Sequence, residues 1–299
     1  MASHPLVTTI IPTTATSHRT HSLQRAIESI RASSSTPLAI VVIVNGQRFD
    51  NQICGWMENQ PDVMLDFLKE PSLTAAILKG RQLVRTRFFS FLDDDDEYLP
   101  ESIDKRRAVL EDSPGIDLVV TNGFRREGGA DRLAFNRLPS AISDPLSSVF
   151  KAIWLCSCNA LYRTASVQEN YFEELHARAE WTWLAFNLAL DGKKVSAIDA
   201  PGFRIHDTPG SLSKSQEYQE AYLALYQRML LKKPPTAVAR LIRERAASAW
   251  HDRSVQALNR GDRVDALMSH TRSLLLPGGL RYLSYTRRLL QNQSVQHLG

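Results

Sequence analysis

Five consecutive acidic residues, Asp93 to Glu97, directly follow an apolar run at residues 88–92. Carboxylates this close together repel one another, which destabilises a fold unless a cation or solvent relieves the repulsion. Mg²⁺ or Mn²⁺ relieves such repulsion by binding one or two carboxylates together with phosphate oxygens and water. The pattern therefore favours a metal site that holds a phosphorylated ligand.

A simpler interpretation treats the acidic run as a solvated loop in front of a helix that begins near Pro100. Acidic side chains are favourable at a helix N-terminus. One or two acids are enough for that role, whereas this run holds five. The preceding apolar strand also places the run at the carboxyl end of a sheet, where open α/β folds bind ligands. Both facts favour the metal site over the helix cap.

Short apolar runs alternate with amphipathic stretches of helical period through the first 120 residues. This alternation predicts mostly parallel strands linked by helices. The predicted strands are residues 6–11, 39–44, 63–67, 88–92 and 117–121. The predicted helices are residues 23–32, 50–59, 74–85 and 101–111.

The alternation ends after Asn122, and from Ser215 onward the pattern is helical almost throughout. The further elements predicted are, in order, an exposed hairpin or loop at 125–131, a strand at 154–163, a helix at 178–190, a strand at 194–200 and helices at 269–276 and 280–290. A Pro-Gly-Gly sequence divides the last two helices.

The overall composition is typical of a soluble globular protein, with 299 residues of which 43% are hydrophobic and 23% are charged. Charged residues interrupt every apolar stretch before it reaches the ~18 residues of a membrane span. The first residues lack the features of a signal peptide, so we expect a cytoplasmic protein. The three cysteines are expected to be free thiols, since their spacing fits neither a disulfide framework nor a zinc site: Cys54, Cys156 and Cys158.

Positive charge is concentrated at the C-terminal end of the chain. From Arg228 onward there are 13 Lys or Arg and four Asp or Glu, although the whole chain has a net charge of only +4. One interpretation is a helical appendage with a solvated basic face. The other is peripheral contact with an anionic membrane at its inner face, because basic amphipathic helices are attracted to anionic lipid. Nucleic acid is not expected as a partner, since the basic residues do not form an aromatic-interleaved platform.

Four motifs, in order along the chain, resemble those of family 2 glycosyltransferases, which have the GT-A fold. They are residues 8–14 (Thr-Thr-Ile-Ile-Pro-Thr-Thr), 91–96 (Phe-Leu-Asp-Asp-Asp-Asp), 179–181 (Ala-Glu-Trp), and 203–206 (Phe-Arg-Ile-His) followed by 211–213 (Ser-Leu-Ser). The resemblance covers about residues 6–213. It implies an α/β fold with a GT-A-type mixed, mostly parallel sheet flanked by helices, a Rossmann-like N-terminal half and a C-terminal helical appendage.

The resemblance also implies a division of the chain by function. The catalytic domain is residues 1–213, with a nucleotide-sugar-binding half at 1–122 and an acceptor half at 123–213, and a basic helical region occupies 214–299. Such an enzyme transfers a sugar, with inversion, from a nucleotide-sugar donor to a glycan, polysaccharide or lipid-linked acceptor. A divalent cation, Mg²⁺ or Mn²⁺, supports the reaction by neutralising charge on the leaving nucleotide.

The metal and nucleotide roles carry over to matching positions. Asp93 and Asp95 match the family's Asp-x-Asp pair, and Asp94 lies near the ribose. His206 matches a histidine that reaches the metal or the diphosphate; as a lone histidine it is equally a structural residue. The resemblance implies that the loop after the first strand holds the nucleoside, through Pro12, Thr13 and Thr14.

The acceptor roles fall on the start of a predicted helix. Family members place a Glu-Asp pair there, and Glu180 is the only carboxylate in this position. The resemblance therefore implies that Glu180 is the general base that removes the acceptor proton; its other role is favourable charge at a helix N-terminus. Trp181 and Trp183 are either core residues or a surface on which a sugar ring stacks.

Two positions depart from the family pattern. Asn45 follows the second strand where many members have an acidic residue that contacts the base. The family's arginine after the third strand is replaced by Ile77 here, and either Lys79 or Arg81 is expected to compensate for it. Both departures leave the identity of the nucleotide open.

Two other functions fit parts of the pattern. One is a phosphohydrolase with a strand-end aspartate as nucleophile, although Asp96-Glu97-Tyr98 does not follow the usual sequence of that class. The other is a non-catalytic sugar-nucleotide-binding protein, since the base site holds a glutamate alone.

Overall fold

The computed structural model describes residues 4–207 and 216–290. The chain divides into two compact units, residues 1–211 and residues 212–299. The Ser-Leu-Ser motif at 211–213 lies outside the described residues.

Nine strands of the first unit form one mixed sheet in the order β3-β2-β1-β4-β8-β6-β9-β5, with β7 paired to β6. The strands are β1 Val7–Thr13, β2 Ala39–Asn45, β3 Val63–Leu68, β4 Phe88–Phe91, β5 Glu97–Tyr98, β6 Leu118–Glu127, β7 Ala130–Leu133, β8 Ala160–Arg163 and β9 Val195–His206. The longest ladders are parallel: β1 pairs with β2 and β4, β2 with β3, and β6 with β9. The carboxyl ends of β1 to β4 therefore meet at one edge of the sheet.

Helices connect these strands and cover the sheet. In the first unit they are α1 Thr20–Ala32, α2 Asn51–Glu58, α3 Leu73–Leu83, α4 Ser102–Asp112, α5 Leu138–Ser143, α6 Pro145–Ser148, α7 Asn170–Glu173 and α8 Glu180–Leu190. Every residue of β1 and β4 is buried, because helices pack on both faces of the sheet. This explains why apolar and polar residues do not alternate along these strands.

The predicted hairpin is confirmed by the antiparallel pairing of β6 and β7. Its turn residues, Gly128 and Gly129, have φ values of +57° and +86°. Two consecutive residues with positive φ form the tight turn that matches strand twist, and glycine adopts this conformation without a steric cost.

The predicted strand at 154–163 is wrong over its first six residues, since β8 begins at Ala160. The Asn159 side chain accepts from Cys156 N at 3.0 Å and donates to Trp154 O at 2.8 Å. These two bonds close the segment into a turn, which an apolar sequence pattern does not reveal.

The second unit is helical, with α9 Gln216–Leu231, α10 Thr236–Asn259, α11 Arg263–Leu274 and α12 Thr286–Leu290. The predicted helix at 280–290 is a 3₁₀ helix over Gly279–Tyr285 before α12 begins. Hydroxyls join α10 to α11: Ser254 Oγ donates to Ala266 O, and Ser273 Oγ donates to Ala247 O, each at 2.7 Å. Among the described residues, no helix combines the length and the apolar character that crossing a membrane requires.

Candidate active site

The acidic run forms a turn at the carboxyl edge of the sheet. Leu92 N continues the ladder by donating to Ile10 O at 3.0 Å, and Asp96 N then donates back to Asp93 O at 3.1 Å. The turn places the run beside the end of β1, because β1 and β4 are adjacent parallel strands. The strand end predicted for these carboxylates is confirmed.

Asp93 is half-buried in this turn and accepts a hydrogen bond from Ser157 Oγ at 2.7 Å. Burial, together with the charges of Asp95, Asp94 and Glu180, raises the pKa of Asp93 to about 7 against the opposing effect of the hydrogen bond from Ser157. The Asp93 carboxylate is therefore surrounded by other negative charges, and a bound cation would reduce the repulsion between them.

Asp94 and Asp95 share the guanidinium of Arg19. Its Nη1 lies 2.7 Å from Asp95 Oδ2 and 3.2 Å from Asp94 Oδ1. Thr13 Oγ1 donates to Asp94 Oδ2 at 2.5 Å, and Arg25 donates to the main-chain oxygen of Asp95 at 2.6 Å. Burial raises the pKa of Asp94, although Thr13 and Arg19 oppose that shift.

The last two acids of the run bind β9. Asp96 Oδ1 accepts from the main-chain nitrogen of His206 at 3.0 Å. Glu97 Oε1 lies 2.5 Å from Arg204 Nη1 and 3.2 Å from the His206 Nε2. Burial acts to raise the pKa of Glu97, but the bonds from Arg204 and His206 prevail and lower it. These contacts hold β9, and with it His206, against the turn.

His206 was predicted to reach a metal or a diphosphate. In the structure its ring lies against Glu97, and burial together with the charge of Arg25 lowers its pKa. Its main chain is bonded to Asp96, so the imidazole is fixed beside the acidic turn.

A cleft of about 590 Å³ opens near the carboxyl ends of β1, β2 and β3. Its lining residues are Thr14, Thr16, Asn45, Gly46, Gln47, Arg48, Lys69, Glu70 and Pro71. Asn45 Oδ1 accepts from Ser72 N at 2.7 Å, which fixes the loop before α3. Pro12 is buried in β1, and Thr13, which bonds to Asp94, connects the strand end with the acidic turn.

Lys79 does not line this cleft. Its Nζ donates to Asp66 Oδ1 at 2.8 Å and to Phe67 O at 2.7 Å, so the ammonium is held against β3. The cleft instead contains Arg48 and Lys69 as its cationic residues. The sequence pattern gave no signal for these two positions beyond their place after β2 and β3.

Glu180 is the first residue of α8 and is only 7% exposed. Its Oε1 accepts from the main-chain nitrogen of Arg178 at 2.9 Å. Burial raises the pKa of Glu180 despite this bond, and the negative charge of Glu180 in turn raises the pKa of Asp93. The structure therefore brings together a buried carboxylate of α8 and the acidic turn after β4.

The two tryptophans of α8 occupy different environments. Trp181 is half-buried, and its ring centroid lies 5.2 Å from that of Phe91, the last residue of β4. Trp183 is 2% exposed and packs against Phe186 in the core. Its indole is therefore not available to stack on a sugar, whereas Trp181 is partly exposed.

The oxygen-rich turn fits a divalent cation of the magnesium type. Among the described residues, no group of three or more His, Cys, Asp and Glu side chains is arranged to hold a metal ion. Mg²⁺ rarely uses such a protein cage and is usually bound by one or two carboxylates with substrate phosphates and water. Asp93 and Asp95 are suited to that type of site, in which the cation arrives with a diphosphate.

Three partners of the acidic turn were missed by the sequence analysis: Ser157, Arg19 and Arg25. Ser157 is 64 residues from Asp93 and lies between two cysteines, which drew attention to thiol chemistry instead. The two arginines follow the first strand on a 3₁₀ turn and on α1. Their contacts could not be deduced without knowing that β1 and β4 are neighbours.

The sequence matches the profile of Glycosyl transferase family 2 over residues 8–170. A search of curated proteins finds no match. Among solved structures, S. aureus TarS residues 1–349 in complex with UDP-GlcNAc is similar, with a TM-score of 0.63 and 14% identity over 94% of this chain and 92% of that one. The structure of TarS residues 1–349 alone has a TM-score of 0.61 and 16% identity, and the complex of this fragment with UDP has a TM-score of 0.58 and 15% identity. Each of these matches covers 95% of this chain and 87% of the TarS chain.

This similarity to TarS concerns the fold, and the α/β architecture of GT-A type with C-terminal helices is confirmed. The profile match begins in β1, includes the acidic turn and ends ten residues before Glu180. It spans more than half of the chain, and the chain therefore belongs to glycosyl transferase family 2 and is a glycosyltransferase.

Proposed function

We propose that the protein transfers a sugar from a nucleotide-sugar donor to a glycan, polysaccharide or lipid-linked acceptor, with inversion at the anomeric carbon. The observation that carries this proposal is the juxtaposition of the turn Asp93–Asp95 with buried Glu180. A cleft of about 590 Å³ opens near the carboxyl ends of β1, β2 and β3. Family membership favours glycosyl transfer over the phosphohydrolase and binding-protein interpretations.

The cleft at the ends of β1 to β3 is the proposed nucleoside site. Thr14 and Asn45 line it, and Pro12 and Thr13 form the strand end that leads into it. Structures of TarS, which share this fold, contain UDP-GlcNAc or UDP. This supports a nucleoside diphosphate as the leaving group. Lys79, held by Asp66, acts by fixing α3 against β3.

Asp93 and Asp95 are the proposed ligands of Mg²⁺ or Mn²⁺, with His206 beside them and Asp94 directed to the ribose. When bound, the cation neutralises the charge that develops on the leaving diphosphate. Thr13 and Arg19 orient Asp94, and Ser157 orients Asp93. When the divalent cation binds together with the donor, the pKa of Asp93 would fall, because the ionised carboxylate gains the cation as a partner.

Glu180 is the proposed general base. Burial gives it a raised pKa, which makes it a better proton acceptor than an exposed carboxylate. The half-buried ring of Trp181 next to Phe91 offers a surface for the acceptor sugar. Inversion requires attack from the face of the sugar opposite the nucleotide, and a base on α8 across from the turn is consistent with it.

A divalent-dependent binding measurement tests the metal assignment. We expect Asp95→Ala to abolish Mn²⁺-dependent binding of UDP-sugars in calorimetry, while Asp112→Ala, at the exposed end of α4, binds as the parent protein does. Asp95 is partly neutralised by Arg19, so its removal should leave the fold intact. Undiminished affinity in Asp95→Ala, or in excess chelator, would contradict the assignment.

The charge of the second unit supports a further part of the proposal, peripheral contact with the anionic inner face of a membrane from the cytoplasm. The 13 basic and four acidic residues from Arg228 onward give that segment a strong positive charge. Attraction to anionic lipid grows by ~1 kcal/mol for each basic residue near the surface.

A further inference from the structure

Helix α11 in the second unit has its polar side buried and its apolar side exposed. The buried side chains are small or polar, and all are at most 3% exposed: Ala266, Ser269, His270 and Ser273. Large apolar side chains are exposed on the opposite side, and Arg263, Thr271 and Arg272 are the polar residues of the helix that are also exposed. The apolar ones are Val264, Leu267, Met268 and, one residue beyond the helix, Leu275, with exposures of 69%, 40%, 52% and 80%.

This orientation is fixed by hydrogen bonds. α11 accepts from Ser254 Oγ at Ala266 O, and Ser273 Oγ donates into α10 at Ala247 O. The ring of His270 lies 2.8 Å from Thr286 Oγ1 at the start of α12. If the helix were rotated so that its apolar side faced the core, all three contacts would be lost. An ordinary surface helix has the opposite arrangement, with its apolar stripe towards the core.

The exposed apolar side chains form one stripe, which the exposed Thr271 interrupts between Met268 and Leu275. At about 100° per residue, Val264, Leu267, Met268 and Leu275 fall within a wedge of about 100° on the helix surface. The 3₁₀ helix that follows exposes Leu280 and Leu283, at 72% and 57%. Residues three apart eclipse one another in a 3₁₀ helix, so these two leucines also share a face.

A basic cavity lies beside the N-terminal end of this helix. It has a volume of about 670 Å³, and its lining residues are Leu258, Asn259, Gly261, Arg263, Ser284, Arg287 and Arg288. The lining contains three arginines and no acidic residue. Arg287 and Arg288 form no ion pair within the part of the chain that the structure describes. The cavity therefore suits a phosphate group.

The apolar stripe could be covered by a second copy of the chain or by a lipid surface, and the positive charge beside it favours one of the two. A contact between two copies of the chain would join two surfaces that both carry an excess of basic residues, and their repulsion opposes it. An anionic lipid surface offers apolar chains to the stripe and phosphates to the arginines. Interfacial helices bind membranes through this combination of an apolar face and flanking cations.

We propose that the apolar stripe of α11 is the membrane-binding surface of the protein, and that the cavity around Arg287 and Arg288 receives a lipid phosphate. The side chains of Leu267 and Met268 enter the boundary between headgroups and acyl chains. This inference rests on the proposed membrane contact and not on the proposed sugar transfer, so the two fail independently.

Co-sedimentation with vesicles tests the stripe. We expect the full-length protein to sediment with phosphatidylcholine vesicles that contain phosphatidylglycerol and not with phosphatidylcholine alone. The double variant Leu267→Asp/Met268→Asp should lose this binding by at least about tenfold, since both charges would enter an apolar boundary. Leu133→Asp in β7 makes a matched control, because it places a charge on a leucine that is 53% exposed; its binding should stay unchanged.

A second variant tests the cavity. Arg287→Gln/Arg288→Gln should weaken binding to the phosphatidylglycerol vesicles and reduce its dependence on salt, which shortens the Debye length from ~10 Å at 0.1 M to ~3 Å at 1 M. Thermal unfolding and nucleotide binding are measured on every variant. A variant that is unchanged in both has lost vesicle binding through its surface and not through unfolding.

Three results would overturn the proposal. The first is vesicle binding by Leu267→Asp/Met268→Asp that equals that of the parent protein. The second is failure of the parent protein to bind the anionic vesicles at all. The third is a parent protein that is dimeric in analytical ultracentrifugation while the double variant is monomeric, which would assign the stripe to a contact between copies.

Discussion

The acids of the run differ in their neighbours, and those neighbours divide the run into two parts. Among the described residues, the Asp93 side chain accepts a hydrogen bond from the neutral hydroxyl of Ser157 and faces other carboxylates, so its ionised form is disfavoured. Glu97 forms an ion pair with a guanidinium, which favours its ionised form. Asp93 is therefore prepared for a cation, while Asp96 and Glu97 hold β9 in place.

The metal-free protein should lose stability as pH rises from about 4 to about 7. Burial raises the pKa of Asp93 from 3.8 to about 7, so in this window the folded protein keeps a proton that the unfolded chain releases. Asp93→Asn lacks this group. We expect the free energy of unfolding of the parent protein to fall relative to that of the variant, by up to about 1.4 kcal/mol per pH unit.

Denaturant unfolding in chelator across this pH range measures the difference. Parallel stability curves for the two proteins would show that Asp93 titrates as an ordinary carboxyl group. Mg²⁺ together with a nucleoside diphosphate should restore the stability of the parent protein at pH 7, because both bind only the folded state.

Glu180→Gln should bind the donor with unchanged affinity and transfer sugar at least ~10²-fold more slowly. The amide preserves the shape of the side chain and its bond to Arg178 N, and only the basicity is lost. Initial rates and donor calorimetry separate the two effects. Glu173→Gln, on the exposed side of α7, provides the control; a Glu180 variant as fast as this control would place the base elsewhere.

Three separate elements contribute to the site: the strand ends of β1 and β4, and the N-terminus of α8. The helix α3 also packs closely against β1 in this part of the sheet. Gly80 of α3 lies directly on Ile10, and a Cβ at this position would overlap the Ile10 side chain. The helix can approach the strand only because this residue is glycine.

Gly80→Ala is therefore expected to destabilise the protein by about 1–3 kcal/mol, the usual cost of overpacking a core. Gly55→Ala in α2 is the matched control, since a Cβ there has no neighbour within 4 Å. This second change should stabilise the protein by about 0.5–1 kcal/mol through helix propensity. Chemical denaturation compares the two, and equal effects would show that α3 can shift away from β1.

The proposed catalytic residues and the basic segment lie in different units of the chain. Every residue proposed to contact donor, cation or acceptor lies in residues 4–207. The second unit carries an excess of basic over acidic residues and the apolar stripe of α11. Its helices have their own buried contacts, such as those of Leu225 and Met229 in α9 and Ile242 in α10.

A chain shortened to residues 1–211 should bind nucleotide sugars as the parent protein does and should no longer bind anionic vesicles. The cut falls before α9, because a cut after it would expose the buried side chains that α9 packs against α10. Calorimetry, vesicle sedimentation and circular dichroism are the measurements. Vesicle binding that survives in a folded fragment would show that the first unit carries the membrane surface.

The sequence by itself predicted most of the strands and helices of the first 120 residues and the α/β fold class. Apolar runs of strand length, separated by amphipathic helices, predicted the α/β fold and placed the acidic run at a strand end, because residue periodicity and strand termini are local properties. The motifs shared with family 2 glycosyltransferases pointed to Asp93, Asp95 and Glu180 as candidates in the same way.

Only the tertiary structure decided which of these residues meet. Ser157 reaches Asp93 and Arg19 reaches Asp95 because the sheet order makes distant segments neighbours, and no local pattern encodes that order. The orientation of α11 was decided in the same way. Its periodicity would place Val264, Leu267 and Met268 in the core, but hydrogen bonds from α10 and α12 hold the opposite face inward and leave the apolar side exposed.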